Sequence, residues 1–272
     1  MTGISSFNLS GKRALVTGAA GLLGQEHAAA LAEAGAEVIL TDVGDARLLA
    51  AQTTLSKHYG DKIRIAAMDV TNAGSIQKVA EQVGAVDILV NNAAIDPKVT
   101  KESNGLELSR LEHFPLEEWN RQISVGLSGA FLCSQIFGTQ MAARKSGVIL
   151  NIASDLAVIA PDQRIYRKEG LPEHEQPVKP VTYPVIKTAL LGLTRYLAAY
   201  WANQGVRVNA ISPGGVFNNH PDEFVRRLSN LIPMERMAEL SEYRAAVQFL
   251  CSPASSYMTG QNMIIDGGRS IL

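Results

Sequence analysis

The chain has little cysteine, almost no net charge and no long apolar run, and each shortage narrows what it can be. Cys133 and Cys251 are its only cysteines in 272 residues. Both lie in apolar helical patterns, which reads as buried free thiols in a reducing compartment rather than a disulfide. The formal net charge of −1 provides no global field to draw the chain to nucleic acid or to an anionic membrane. No apolar run approaches a membrane span. The start, MTGISSFNLSGKRALVTG, has no long apolar stretch ahead of its first strand, so no secretory leader is read and the cytoplasm is the expected location. What is present is ordinary globular material. With 46% hydrophobic and 19% charged residues, the chain can bury a large core.

Short apolar runs alternate with helical patterns. Residues 14–17, 37–41, 63–68, 88–91, 147–152, 206–211 and 262–265 read as strands. Residues 25–34, 46–59, 73–83, 116–143, 183–202 and 241–250 read as helices. Strands separated by helices imply crossover connections and a parallel sheet covered on both faces. The near-continuous runs VDILV and GVILNIA fit strands buried on both sides. The expectation is a single α/β domain over residues 1–272, a Rossmann-type doubly wound sheet, with no repeat or interdomain linker. Two segments break the rhythm, one near 95–114 and a Pro-rich, charged one near 162–181. Both follow strands, at the carboxyl edge where open α/β sheets bind ligands.

Thr17-Gly-Ala-Ala-Gly-Leu-Leu-Gly24 follows the first strand and opens a helix. Glycines there let backbone N–H groups approach a pyrophosphate, and the helix N-terminus favours the anion. This places Gly18, Gly21, Leu22 and Leu23 along a dinucleotide. Asp42 ends the second strand, at the spacing where a carboxylate accepts both adenosine ribose hydroxyls. It would repel the extra phosphate of NADP, and Val43 and Gly44 bring no adjacent arginine, so NAD is expected. No metal is expected.

Tyr183-Pro-Val-Ile-Lys187 puts a phenol and an ammonium one helical turn apart. A phenol titrates near 10 and is a poor base at neutral pH, and a nearby cation favours the phenolate. With Thr182 as N-cap, Tyr183 and Pro184 would open the helix, where its dipole helps further. Taken alone the spacing also fits an ordinary surface pair.

In order along the chain, the landmarks are the glycine turn, Asp69-Val70, Asn91-Asn-Ala-Ala94, Asn151-Ile-Ala-Ser154, Tyr183-x-x-x-Lys187, Ser212-Pro-Gly214 and Asp266-Gly-Gly268. Together they resemble the short-chain dehydrogenase/reductase family over nearly the whole length. The resemblance implies that Tyr183 is the general acid/base, that Lys187 binds the nicotinamide ribose and lowers the tyrosine pKa, and that Ser154 steadies the substrate oxygen. It implies that Asp69 and Val70 hold the adenine, that Asn92 and Ala93 lie along the cofactor, and that Pro213, Gly214 and Val216 line the nicotinamide. Asn91 is read either as part of that lining or as a tie between strands. The implied activity is NAD-dependent interconversion of a secondary alcohol and a ketone on a small molecule, in a homotetramer or homodimer. Two alternatives stay open: an NAD-binding regulatory subunit, and a sugar-nucleotide dehydratase or epimerase that recycles its NAD.

Three departures from the family pattern stand out. The glycine spacing, with Gly21 in the middle, resembles the extended branch, although the C-terminal half matches the short one. Gly126 stands where most relatives carry an Asn that supports a kink and a relay water, with Ser124 as another water contact. Ser154 and Tyr183 lie 29 residues apart, where about a dozen is usual for the family. The extra segment carries Arg164, Arg167, Lys168 and Lys179, and the other long loop carries Lys98, Lys101 and Arg110. Basic groups there suit an anionic substituent on the substrate, or else belong to mixed-charge solvated loops. Arg164, Arg167 and Lys179 are candidate substrate contacts. So is Asp155, which can equally cap the local turn. FLCSQ, the insertion and SPGGVFNN resemble bacterial sugar and flagellin-glycan enzymes, which points to a sugar or activated sugar as substrate.

Overall fold

The computed structural model describes residues 3–95 and 109–272. Among these residues seven strands form one sheet: β1 (Arg13–Thr17), β2 (Glu37–Asp42), β3 (Ile63–Ala67), β4 (Ile88–Asn91), β5 (Gly147–Ile152), β6 (Val206–Pro213) and β7 (Asn262–Ile265). Their spatial order is β3-β2-β1-β4-β5-β6-β7, and every pairing is parallel. The order reverses between β1 and β4, so the carboxyl ends of those two strands part to leave a crevice.

Successive side chains of a strand point to opposite faces, and here that alternation divides the core in two. Ala14, Val16, Val38, Leu40, Ile88, Val90 and Leu150 face one layer. It is closed by α1 (Leu22–Glu33), α2 (Asp45–Tyr59) and, further along, α9 (Arg244–Cys251). Leu15, Ile39, Leu89 and Ile149 face the other. That layer is closed by α3 (Ala73–Val83), by the helical run that contains α4 (Leu116–Ile123), α5 (Gly129–Cys133) and α6 (Thr139–Ala143), and by α7 (Thr182–Trp201). Cys133 and Cys251 are buried free thiols on opposite sides of the sheet, and burial raises both pKa values to about 12.

Two local expectations need correcting. The run over 116–143 is not one α-helix. Wider π turns interrupt it at Ser124–Ser128 and Ser134–Gly138. Thr182 is not the N-cap of α7 but its first residue; Val181 precedes it, and the Thr182 hydroxyl is held by the buried Gln122 side chain. A further helix, α8 (Asp222–Ser229), was not read from the sequence. Among the described residues no helix is long and apolar enough to cross a membrane.

Candidate active site

The glycine turn is built around close approach. Gly18 has φ +61°, and a Cβ on it would come within 2.8 Å of Ala93 Cα. A Cβ on Gly24 would meet the Gly18 carbonyl at 2.4 Å. Both positions therefore exclude side chains, which draws the start of α1 down onto β4. Asn92 locks the arrangement by donating to the carbonyls of Thr17 (2.9 Å) and Gly18 (3.1 Å). The Thr17 hydroxyl accepts from the amides of Asn92 and Ala93, each at 3.0 Å. Gly21 is the N-cap of α1 and has no side chain to close its first turn. The amides around Leu22 and Leu23 thus suit an anion, so the turn fits a dinucleotide pyrophosphate.

Asp42, at the end of β2, is 9% exposed. It accepts from Ala20 N (3.3 Å), Val43 N (2.8 Å) and the Arg47 guanidinium (2.9 Å). The two residues after Asp42 bring no arginine, but α2 returns Arg47 to the carboxylate. Asp69 is exposed and accepts from the amide and hydroxyl of Thr71, while Val70 is buried against Gly129. Asn91 takes the structural option. Its amide donates to Asn151 (2.8 Å) on β5 and to Ser134 (3.0 Å), and Asn151 donates on to Thr194.

Ser154 follows β5 and is 5% exposed. Its hydroxyl donates to Asp155 Oδ1 at 2.8 Å and accepts from the Leu156 amide at 3.2 Å. Asp155 is also buried. Its Oδ1 accepts from Leu156 N, and its Oδ2 pairs with Arg269 Nη1 at 2.7 Å. So Asp155 does cap the turn, and its remaining oxygen serves a buried ion pair with the C-terminal segment. The sequence reading did not single out Arg269.

The start of α7 brackets this turn. Lys187 is 6% exposed and donates to the Ile152 carbonyl at 2.7 Å, two residues before Ser154. Thr188 donates to the Ala157 carbonyl at 3.3 Å, three residues after it. Lys187 Nζ lies 5.7 Å from the centre of the Tyr183 ring, and Lys179 Nζ stands over the same ring at 3.8 Å. Beyond β6, Gly214 is pressed against Asp266, where a Cβ would meet Asp266 Cα at 2.8 Å, and Val216 bridges to Ala238.

Gly126 lies in the first π turn, where a Cβ would come within 2.8 Å of Ile186 Cγ2. Ile186, next to Lys187, therefore fills the space an Asn side chain would need. Ser124 donates to the Arg121 carbonyl.

The 162–181 segment is folded back on itself. Gln176 is buried and holds it together through Lys168 N, Lys168 O and Leu171 O. Ile165 packs with Leu228, Ile232 and Met237, and Tyr166 lies against Phe224 of α8. Arg164 is engaged by Asp162, whose pKa that hydrogen bond lowers to about 2, and Arg167 pairs with Glu173. Arg110 reaches across to the carbonyls of Glu173 and Gln176. Lys98 and Lys101 lie outside the described residues.

The chain is similar to known proteins over nearly its whole length. Residues 12–166 match the family described as short chain dehydrogenase, and residues 173–270 match that described as enoyl-(acyl carrier protein) reductase. A D-threitol dehydrogenase of Mycolicibacterium smegmatis is 36% identical, over 97% of this chain and 95% of its own. A galactitol 2-dehydrogenase (L-tagatose-forming) of Cereibacter sphaeroides is 35% identical, over 97% of each. Among solved structures, a gluconate 5-dehydrogenase of Burkholderia cenocepacia in complex with NADP and tartrate superposes with a TM-score of 0.83. It is 28% identical and is matched over 98% of both chains.

Proposed function

The chain belongs to the short-chain dehydrogenase/reductase family, whose members act on CH–OH groups, and on that premise we propose that it uses NAD to interconvert a secondary alcohol and a ketone on a polyol or sugar-like molecule. One observation carries the reading: Tyr183 sits beneath two ammonium groups, and one of them, Lys187, is anchored to the Ile152 carbonyl beside Ser154. A phenol so placed is biased toward phenolate and can trade a proton with a substrate oxygen. Ser154 steadies that oxygen, and Lys187 serves both the tyrosine and a ribose hydroxyl.

A bound nicotinamide supplies or accepts the hydride. The residues that would hold the dinucleotide are Gly18, Gly21, Leu22 and Leu23 at the turn, Asp42 at the ribose, and Asp69 and Val70 at the adenine. Asn92, Ala93, Pro213, Gly214 and Val216 complete the wall, with Tyr183 and Lys187 at the reacting end. NAD is favoured because Asp42 presents a carboxylate where NADP carries its extra phosphate. Arg47 on that carboxylate is the counterweight, so both dinucleotides belong in the assay.

The polyol reading draws on the relatives named for threitol and galactitol. We read residues 1–272 as one domain, supported by a single sheet that takes strands from Arg13 to Ile265. We read the assembly as a homotetramer, supported by the stacked and exposed Tyr196 and Tyr200 on α7 and the exposed Phe131 on α5.

The test is turnover of D-threitol, galactitol, glycerol and gluconate with NAD and, separately, with NADP. Tyr183→Phe should lose at least 100-fold in kcat, in line with the usual worth of a positioned acid/base, and should still quench or enhance NADH fluorescence on binding. A Tyr183→Phe enzyme that turns over at the unaltered rate would end the assignment.

A further inference from the structure

Lys179 is the one basic side chain of the 162–181 segment shown here against a residue of the reading above. Its Nζ is 3.8 Å from the centre of the Tyr183 ring, closer than that of Lys187 at 5.7 Å. Its position is fixed from the backbone. Lys179 N donates to Gln163 Oε1 at 2.8 Å, Pro177 and Pro180 on either side are buried, and Tyr183 N donates to the Pro180 carbonyl at 3.3 Å. The loop is thereby joined to the first turn of α7, and the ammonium approaches the phenol from the loop while Lys187 approaches it from the helix.

We propose that Lys179 is a second cation of the acid–base centre, acting on Tyr183 through its ring and favouring the phenolate. The inference rests on reading Tyr183 as the acid/base. A cation within about 6 Å of a ring centre is attracted to its negative face, and the face of a phenolate is more negative than that of a phenol. The attraction therefore grows as the proton leaves, and the tyrosine pKa falls. The other charges packed at this end, among the described residues, are Lys187 on α7, the Asp155–Arg269 pair behind Ser154, and the Asp162–Arg164 pair in the loop. Of the two lysines, Lys179 lies the nearer to the centre of the Tyr183 ring. Lys179 is a positioning residue in this scheme: it touches Tyr183 and works through it.

The test needs no substrate. Phenolate absorbance near 295 nm is followed from pH 6 to 10 in the unaltered protein and in Tyr183→Phe, and the difference isolates Tyr183. The same pair is measured in a Lys179→Gln background. Removing the charge should raise the Tyr183 midpoint by about one pH unit, the scale of a cation–π contact, and Lys179→Arg should restore it. Lys179→Met is a second uncharged variant should the first fold poorly, with circular dichroism as the check. A midpoint that stays put in both uncharged variants overturns the proposal, as does a Tyr183 that titrates near 10 in the unaltered protein. The catalytic reading fails separately, if Tyr183→Phe keeps its turnover.

Discussion

His27 is the most exacting place to test the physical account of this fold. It lies on α1, is fully buried, and neither ring nitrogen has a hydrogen-bond partner among the described residues. Burial first, and the charge of Lys187 second, push its pKa down from 6.5 to about 3. The unfolded chain therefore binds a proton between those values that the folded chain refuses, and stability must fall as pH falls through that window. Each pH unit below 6.5 costs about 1.4 kcal/mol, so by pH 5 the loss from this residue is about 2 kcal/mol. That is a large share of the ~5–15 kcal/mol that holds a typical domain together. Above pH 6.5 the residue contributes no slope.

The assay is urea unfolding at pH 7.5, 6.5, 5.5 and 5.0 for the unaltered chain and for His27→Leu. Leu matches the apolar setting and removes the titrating group, while the carboxylates titrate alike in both proteins and cancel in the difference. Between pH 7.5 and 5.0 the unaltered chain should lose about 2 kcal/mol more than the variant. Parallel stability curves would refute the reasoning, because they would mean that His27 accepts a proton in the folded state.

Two further outcomes are expected. Asp155→Ala leaves the Arg269 guanidinium buried without its partner and should lower unfolding stability by about 3–5 kcal/mol, whereas exchanging Asp155 and Arg269 together for apolar residues should recover much of it; equal losses in both proteins would show that the ion pair is not the cause. Light scattering at micromolar concentration should give the mass of a tetramer, and Tyr200→Glu should shift it to a smaller species; a monomeric unaltered protein rules out the assembly.

The sheet was legible in the sequence for a physical reason. A parallel strand covered on both faces must be apolar throughout, so VDILV and GVILNIA stand out without alternation. The limits of β4, β5 and β7 were read as found, and β6 was read two residues short because Ser212 and Pro213 look like a turn. The first π turn contains Gly126, where the family pattern implies a kink, while the second had no such signal in the sequence. Gly129 lies against Val70 and Gly138 against Trp201, contacts between segments far apart in sequence. Helix α8 left a signal that was passed over: Pro221 at its N-cap, Asp222 and Glu223 in its first turn, Arg226 and Arg227 in its last. At the site, local spacing points to the glycine turn, Asp42, Ser154, Tyr183 and Lys187 as candidates. Arg269 and Gln122 do not stand out, because each acts through a partner that only the finished fold brings near.

The Ser154–Asp155 hydrogen bond leaves a last consequence. A serine hydroxyl has one proton, and here it points at Asp155 Oδ1, whose partner oxygen is held by Arg269. Its oxygen already accepts from the Leu156 amide, so what Ser154 can then offer an incoming oxygen is its one remaining lone pair. An alcohol brings its own proton and can use it; a ketone brings none. To greet a ketone, the serine must turn its O–H away from Asp155 and give up that hydrogen bond, a cost of about 1 kcal/mol. The overall equilibrium between alcohol and ketone is untouched by any such preference. What the parity of donors and acceptors at Ser154 does set is a local match to an oxygen that brings its own proton.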